Sequence, residues 1–322
     1  KQFTVAVVKD EQGNKLNEDK FTNSEYNFGI FMQQYKPEET KIVIESSSVW
    51  EYIYEILEAK KYEVKLANPS RTRAIAEAKI KTDSVDASTL ADLLRANLVA
   101  ESYIPPKDIR RLREITRERR TFVKQTTQIK NKIHAILIKR GIKIPSATLC
   151  KGTLLWLKNK LQNEKIAQHY LDLLEYHKQK LSEIDKTISD TAYANNNAKL
   201  LMTIPGIGTV RSLDIAAEIG EIDRFPTADK LCSYSGLVPS IHQSGNTLRV
   251  GRLVKQASKA LKYNLIEACW NIVRTKESNT LQEFYKKLAK KKGKQKAICA
   301  TARKLGCVIY AMLTKQEKFR YS

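Results

Sequence analysis

From Pro105-Pro106 onward, Ile109, Leu112, Ile115, Phe122, Ile129, Ile133 and the Ile136/Leu137 pair recur at three-, four- and seven-residue steps. A long amphipathic helix of near-heptad period places all of them on one face. The same stretch, residues 107–143, carries thirteen Lys and Arg against three acids, Asp108, Glu114 and Glu118. A face that only solubilises a coiled coil mixes its signs. The imbalance therefore points to a phosphate-facing surface, with Arg110, Arg111, Arg113, Arg117, Arg120 and Lys124 as candidate contacts. Residues 154–189 are helical too but mixed in charge, and read as the returning partner of a helical hairpin. Ala194-Asn-Asn-Asn197 then reads as a linker.

The basic bias extends to the whole chain. Its 322 residues hold 57 Lys and Arg against 35 Asp and Glu, a net charge of +22, which attracts polyanions and nucleic acid first among them. Five scattered cysteines (Cys150, Cys232, Cys269, Cys299 and Cys307) include no CxxC pair, so neither a disulfide framework nor a zinc site is expected, and the compartment reads as a reducing cytoplasm. No apolar run approaches the roughly 18–20 residues of a membrane span, and no basic helix carries Trp or Phe on an opposing face; no membrane partner is expected.

Ahead of the long helix the pattern is α/β. Phe3–Lys9 and the turn Asp10–Asn14 open a hairpin, and Lys41–Ile44 and Tyr62–Ala67 read as strands around a helix over Val49–Lys60. Helical spacing recurs at Ser24–Tyr35, Arg71–Lys79 and Ser84–Leu98. Such alternation implies some parallel pairing. The pattern divides the chain into three domains: 1–104 α/β, 105–197 a basic coiled-coil hairpin, and 198–322 mainly helical.

Three constellations could carry chemistry. Glu45 lies just past a buried-looking strand, where α/β sheets place ligands. Asp83 and Asp86, three apart at a helix start, share one face and could hold a hard divalent cation with it; each alone reads equally as a helix cap. Leu201-Met-Thr-Ile-Pro205-Gly206-Ile-Gly208 reads as a turn between helices like those of helix-hairpin-helix modules, with Gly206 and Gly208 offering backbone N–H groups to a phosphate. Ser244, before Gly245 in a turn-like stretch between helices, is followed by Arg249, Arg252, Lys255 and Lys259. A hydroxyl among cations could attack a phosphodiester, or simply make a local turn bond. His242 could orient it. His134, His169 and His177 have no second ligand three or four residues away and read as structural.

In order, Glu45 after Lys41-Ile-Val-Ile44, Asn68-Pro69, Lys81-Thr-Asp83-Ser-Val-Asp86-Ala, Ile204-Pro-Gly-Ile-Gly208, Arg224-Phe-Pro226, Tyr234-Ser-Gly236-Leu-Val-Pro239 and Ser244-Gly245 resemble the IS-one-ten class of insertion-sequence transposases, which includes the Piv-type DNA invertases. The resemblance covers nearly the whole chain. It implies an N-terminal RuvC-like domain of the RNase H fold, whose Asp-Glu-Asp-Asp set binds Mg²⁺, or Mn²⁺ in its place. Glu45, Asp83 and Asp86 match the last three of that set. The first belongs to a Gly-x-Asp-x-x-Lys stretch on the first strand; it lies upstream of Lys1 or the chain lacks it, since Asp10 sits in a hairpin turn. Ser244 matches the nucleophile that forms a 5′-phosphoserine link to DNA. A non-coding bridge RNA and a homo-oligomer joined through the coiled coil are the further partners implied. Where the family carries Lys-x-Gly after the serine, this chain has Lys255-Gln-Ala257. Two alternatives stay open: a metal-dependent, structure-specific nuclease using the carboxylates and water, and an inactive nucleic-acid-binding relative.

Overall fold

The computed structural model describes residues 2–76, 82–143, 150–244, 247–275 and 279–320. The chain divides into two compact units, residues 1–104 and 105–322.

In the first unit, β1 (Phe3–Lys9) and β2 (Lys15–Thr22) pair antiparallel. Their turn is fixed by the Asp10 carboxylate, which accepts from the Asn14 backbone N–H at 2.7 Å, and by Gly13 at φ +94°. α1 (Glu25–Met32) starts at Ser24, whose hydroxyl accepts from the Asn27 N–H. β3 (Lys41–Glu45), α2 (Trp50–Ala59) and β4 (Glu63–Ala67) make a parallel β-α-β unit, in register from Lys41 opposite Glu63 to Glu45 opposite Ala67. α3 (Pro69–Ile75) is capped by Asn68, and α4 (Asp83–Arg95) by Thr82. Phe28, Phe31 and Met32 of α1 pack against Ile53, Ile56 and Leu57 of α2, the latter at the spacing that aligns one helix face. The strands form two separate two-stranded sheets rather than one among the described residues.

The second unit opens with α5 (Lys107–Lys139), followed by α6 (Lys151–Lys160) and α7 (Lys165–Ala194). Ion pairs Arg119–Asp185 and Arg140–Glu164 fix α5 and α7 as antiparallel. Ile129, Ile133 and Leu137 of α5 are buried against Leu154, Leu157, Leu161, Leu171 and Leu174, while Leu112 and Ile115 pack near Ile188 and Ala192. The near-heptad stripe is thus covered within the chain. The Asn run is no linker: α7 ends at Ala194, and Asn195 caps α8 (Asn196–Met202) by accepting from the Ala198 N–H at 2.9 Å. The helical hairpin and the helices after it form one packed unit.

α9 (Thr209–Ile219), α10 (Ala228–Tyr234), α11 (Lys259–Ile272), α12 (Thr280–Lys292) and α13 (Lys294–Lys315) build the rest. Between α10 and α11 stands a two-stranded ribbon, β5 (Pro239–Ser244) and β6 (Thr247–Leu253), where the sequence suggested a turn between helices. α13 is long and apolar enough to cross a membrane by length and composition, contrary to the sequence expectation. Its Ile298, Ala302, Leu305, Ile309 and Leu313 instead pack against Leu261, Leu265 and Ile272 of α11, which makes it the unit's central helix. All five cysteines are free; Cys232 and Cys307 lie 3.8 Å apart, and burial pushes the Cys232 thiol up to about 12.

Candidate nucleic-acid interface and catalytic residues

Glu45, Asp83 and Asp86 line one open cleft of the first unit, of about 1490 Å³. Glu45 ends β3, and Asp83 and Asp86 open α4, which packs against both β1 and β3. Lys81 of the flanking motif lies outside the described residues. Every residue of β1 and of β3 lines the cleft, so it is bordered by strand edges rather than by one sheet face. Neither strand has a second hydrogen-bonded neighbour there among the described residues. The donor chemistry, three carboxylates lining one cleft, suits a hard divalent cation. Among the described residues, however, no three such groups come close enough to hold one. The donor set as it stands is incomplete.

Ser244 is the last residue of β5, opposite Thr247, at the tip of the ribbon. Its side chain, with Gly245 and Asn246, lies outside the described residues. The register sets His242 opposite Arg249 and Ile241 opposite Val250. Because strand positions alternate, 242, 244, 247 and 249 belong to one face and 241, 243, 248 and 250 to the other. Arg249 and Arg252 on β6, and Lys255 and Lys259 leading into α11, are all exposed. Gly-Asn between two short runs with β-branched residues was the overlooked signal for this hairpin. Gly236 sits at the ribbon's foot at φ +67°, where a Cβ would come within 2.6 Å of the Ala257 methyl. Only glycine fits there, and Ala257, which departs from the family's Lys-x-Gly, packs on it without conflict.

The arginines of α5 divide, and this corrects the expectation of one phosphate-facing row. Arg110 is buried and donates to the Pro105 carbonyl at 3.0 Å. Arg113 is buried and donates from Nε to the Ala217 carbonyl at 2.8 Å and from Nη2 to that of Glu218 at 2.9 Å. It thereby satisfies carbonyls left over at the end of α9. Arg120 pairs with the buried Glu218 at 3.0 Å and approaches the buried Asp214 at 3.7 Å, and the more exposed Arg117 reaches Glu218 at 3.8 Å. Arg111 and Lys124 alone of the six are exposed without an ion pair among the described residues. The reason is local. Asp214 and Glu218, four apart on α9, offer buried carboxylates to the α5 turns that cross them.

Arg224 completes the end of α9, donating to the Ile219 carbonyl at 2.8 Å, with its guanidinium over the adjoining rings of Phe225 (4.1 Å) and Tyr234 (4.5 Å). The Arg-Phe-Pro and Tyr-Ser-Gly segments are therefore one packing unit beneath the ribbon. In the turn between α8 and α9, Gly206 stands at φ +80°, where a Cβ would lie 3.0 Å from that of Asn271, so its glycine is needed for packing on α11. Gly208 precedes α9 with nothing within 4 Å of such a Cβ, and its face is open. Of the histidines, His177 is buried and stacks with Phe122 at 5.2 Å.

Known proteins resemble this chain in sequence. Residues 198–286 match the model of the transposase IS116/IS110/IS902 family, and residues 1–139 match a second transposase model, of the DEDD type. A pilin gene-inverting protein of Moraxella bovis is 27% identical over 310 residues, covering 93% of this chain and 89% of its own. The transposase of insertion sequence IS1111A from Coxiella burnetii is 26% identical over 74% of this chain and 68% of its own. That of IS1328 from Yersinia enterocolitica is 22% identical over 80% and 79%. The two matched segments account for most of the chain, which carries the transposase domains that these two models describe.

Proposed function

We propose that this chain cuts and rejoins DNA through Ser244. The observation that carries the reading is the ribbon: it holds Ser244 at its tip, with the exposed cations Arg249, Arg252, Lys255 and Lys259 running back from it. Such cations would neutralise phosphates around a reacting one. In the cutting step the Ser244 hydroxyl oxygen bonds to phosphorus, the bond from phosphorus to the 3′ oxygen breaks, and that oxygen leaves as a hydroxyl carrying the proton the serine gives up. Rejoining reverses the exchange with the 3′ hydroxyl of another strand. One phosphodiester replaces another, so no external energy source is required.

Glu45, Asp83 and Asp86 would contribute ligands to a divalent cation, Mg²⁺ or Mn²⁺, whose charge would stabilise the reacting phosphate. The resemblance assigns a fourth carboxylate to a strand, and the cleft bordered by β1 and β3, which have no second strand neighbour there among the described residues, has the room for one. The net charge of +22 suits a guide RNA as well as DNA. Action in the cytoplasm and assembly of several copies complete the reading; with the α5 stripe covered, another face of the hairpin would join copies.

Trapping the intermediate tests it. Protein purified with its bound nucleic acid is mixed with labelled DNA from the sequence flanking its gene, denatured and resolved on a gel. A covalent protein–DNA band is expected, lost in Ser244→Ala and after chelation of divalent cations. Broken DNA without the band would instead indicate hydrolysis by water. A full yield of band from Ser244→Ala would overturn the nucleophile.

A further inference from the structure

Beyond the ribbon, the cleft and α5, a second concentration of charge remains. Lys286, Lys287, Lys290, Lys291, Lys292, Lys294 and Lys296 fall within eleven residues at the junction of α12 and α13. All seven are exposed, and none has an ion-pair or hydrogen-bond partner among the described residues. Lys286, Lys287, Lys290 and Lys291, with Glu283, line one shallow recess of about 380 Å³. Their spacing puts two neighbouring rows on a single helix face.

That face is fixed in orientation by the opposite one. Leu281 and Gln282 are buried, the Gln282 amide donates to the carbonyls of Val273 (3.1 Å) and Thr275 (3.2 Å), and Tyr285 meets the Trp270 ring at 5.9 Å. Folding gains little from the lysines it leaves outside. The pairs Lys286/Lys290 and Lys287/Lys291 repel along the helix. Lys290, Lys291 and Lys292 do suit the end of α12, but Lys294 and Lys296 stand in the first turn of α13, where a cation opposes the helix dipole. An external polyanion would make this arrangement favourable.

We propose that the lysine face of α12 is a second nucleic-acid contact, separate from the ribbon, and that it holds the phosphate backbone of duplex DNA. Single strands call for exposed aromatic platforms, yet Tyr285 packs on Trp270, and Phe284 is half-buried with Lys304 over its ring. Folded RNA is gripped through its 2′ hydroxyls as well as its phosphates, and the recess offers four lysines for phosphates against a single carboxylate to accept from a hydroxyl. Point charges on a rigid helix suit a duplex backbone, which fixes position without reading sequence.

The proposal rests on the reading of this chain as a DNA-acting protein but not on Ser244, because binding is measured without strand exchange. Affinity of the full chain for a labelled 30-base-pair duplex is followed across a potassium chloride series, together with the variant K286Q/K287Q/K290Q/K291Q. The slope of log affinity against log salt is expected to fall by about 3.6, four phosphates at about 0.9 each. Glu283→Lys, which needs no lysine removed, is expected to steepen it by about 0.9. A folded RNA of equal charge is expected to lose less than the duplex. An unchanged slope in the fourfold variant, while the parent still binds the duplex, overturns the surface and spares the wider reading. A larger loss for RNA overturns the assignment to DNA. Failure of the parent to bind any duplex overturns both.

Discussion

The arginines of α5 and the lysines of α12 both lie on long amphipathic helices in one basic unit, yet the fold uses them oppositely. Arg113 and Arg120 turn inward to the end of α9 and its two buried carboxylates. The α12 lysines meet no such partner and face solvent. What separates them is the neighbouring helix: α9 presents Asp214 and Glu218 to α5, whereas α12 docks on α11 and α13 through Leu281, Gln282 and Tyr285. Arginine also suits the inward role, because its planar fork can bond two carbonyls at once while lysine acts as a point charge. Local charge density therefore does not by itself mark an interface. A cation without an acid across the packing contact does.

Arg113→Ala should break the comparison most sharply. It leaves the Ala217 and Glu218 carbonyls short of charge-assisted bonds worth roughly 1.5–3 kcal/mol each, a loss of about 3–6 kcal/mol in all. In a unit of this size that lowers the melting temperature by about 10 °C. Calorimetry on the full chain reads it directly. Unchanged melting with weakened DNA binding would mean that Arg113 faces outward.

The ribbon gives the converse test. Arg249→Ala with Arg252→Ala should leave the melting temperature within about a degree, since both are exposed. The salt slope of duplex binding should fall by about 1.8, two phosphates' worth. A folding defect with an unaltered slope would place these two among the structural cations instead.

How far the sequence reaches is decided by the same contrast between local and distant partners. The β-α-β unit over Lys41–Ala67 and the long helix beginning near Lys107 are legible because periodicity acts over a few residues. The inward turn of Arg110 and Arg113 is not, because for Arg113 it depends on carbonyls a hundred residues away on α9. The ribbon was missed differently. Its Gly-Asn signal is local but sits between helices, and Ser244 reads as a loop residue unless the pairing with Thr247 is seen. Glu45, Asp83 and Asp86 read from the sequence as a set; they line one wide cleft, yet among the described residues no three such groups come close enough to hold a cation. How closely they approach one another is a matter of the sheet around them, which no motif encodes.

The smallest expected effect concerns Asp214, the carboxylate that makes α5 turn inward at some cost. Burial pushes its acid above the ordinary carboxylate range, opposed by the Arg120 guanidinium and the Asn264 amide, and its Oδ1 has no hydrogen-bond partner among the described residues. A folded-state value above the unfolded one means that the folded chain holds this proton more tightly. The associated stability is fully present below the unfolded value of about 3.9 and is lost as pH rises through the folded one. At neutral pH Asp214 is therefore a net burden on the fold, and Arg120, 3.7 Å away and shared with Glu218, relieves only part of it. Asp214→Asn should melt higher than the parent at pH 7, with the margin shrinking to nothing near pH 3. If the variant melts lower at pH 7, the attraction of Asp214 for Arg120 outweighs its burial, and both carboxylates of α9, not Glu218 alone, are what draw the arginines in.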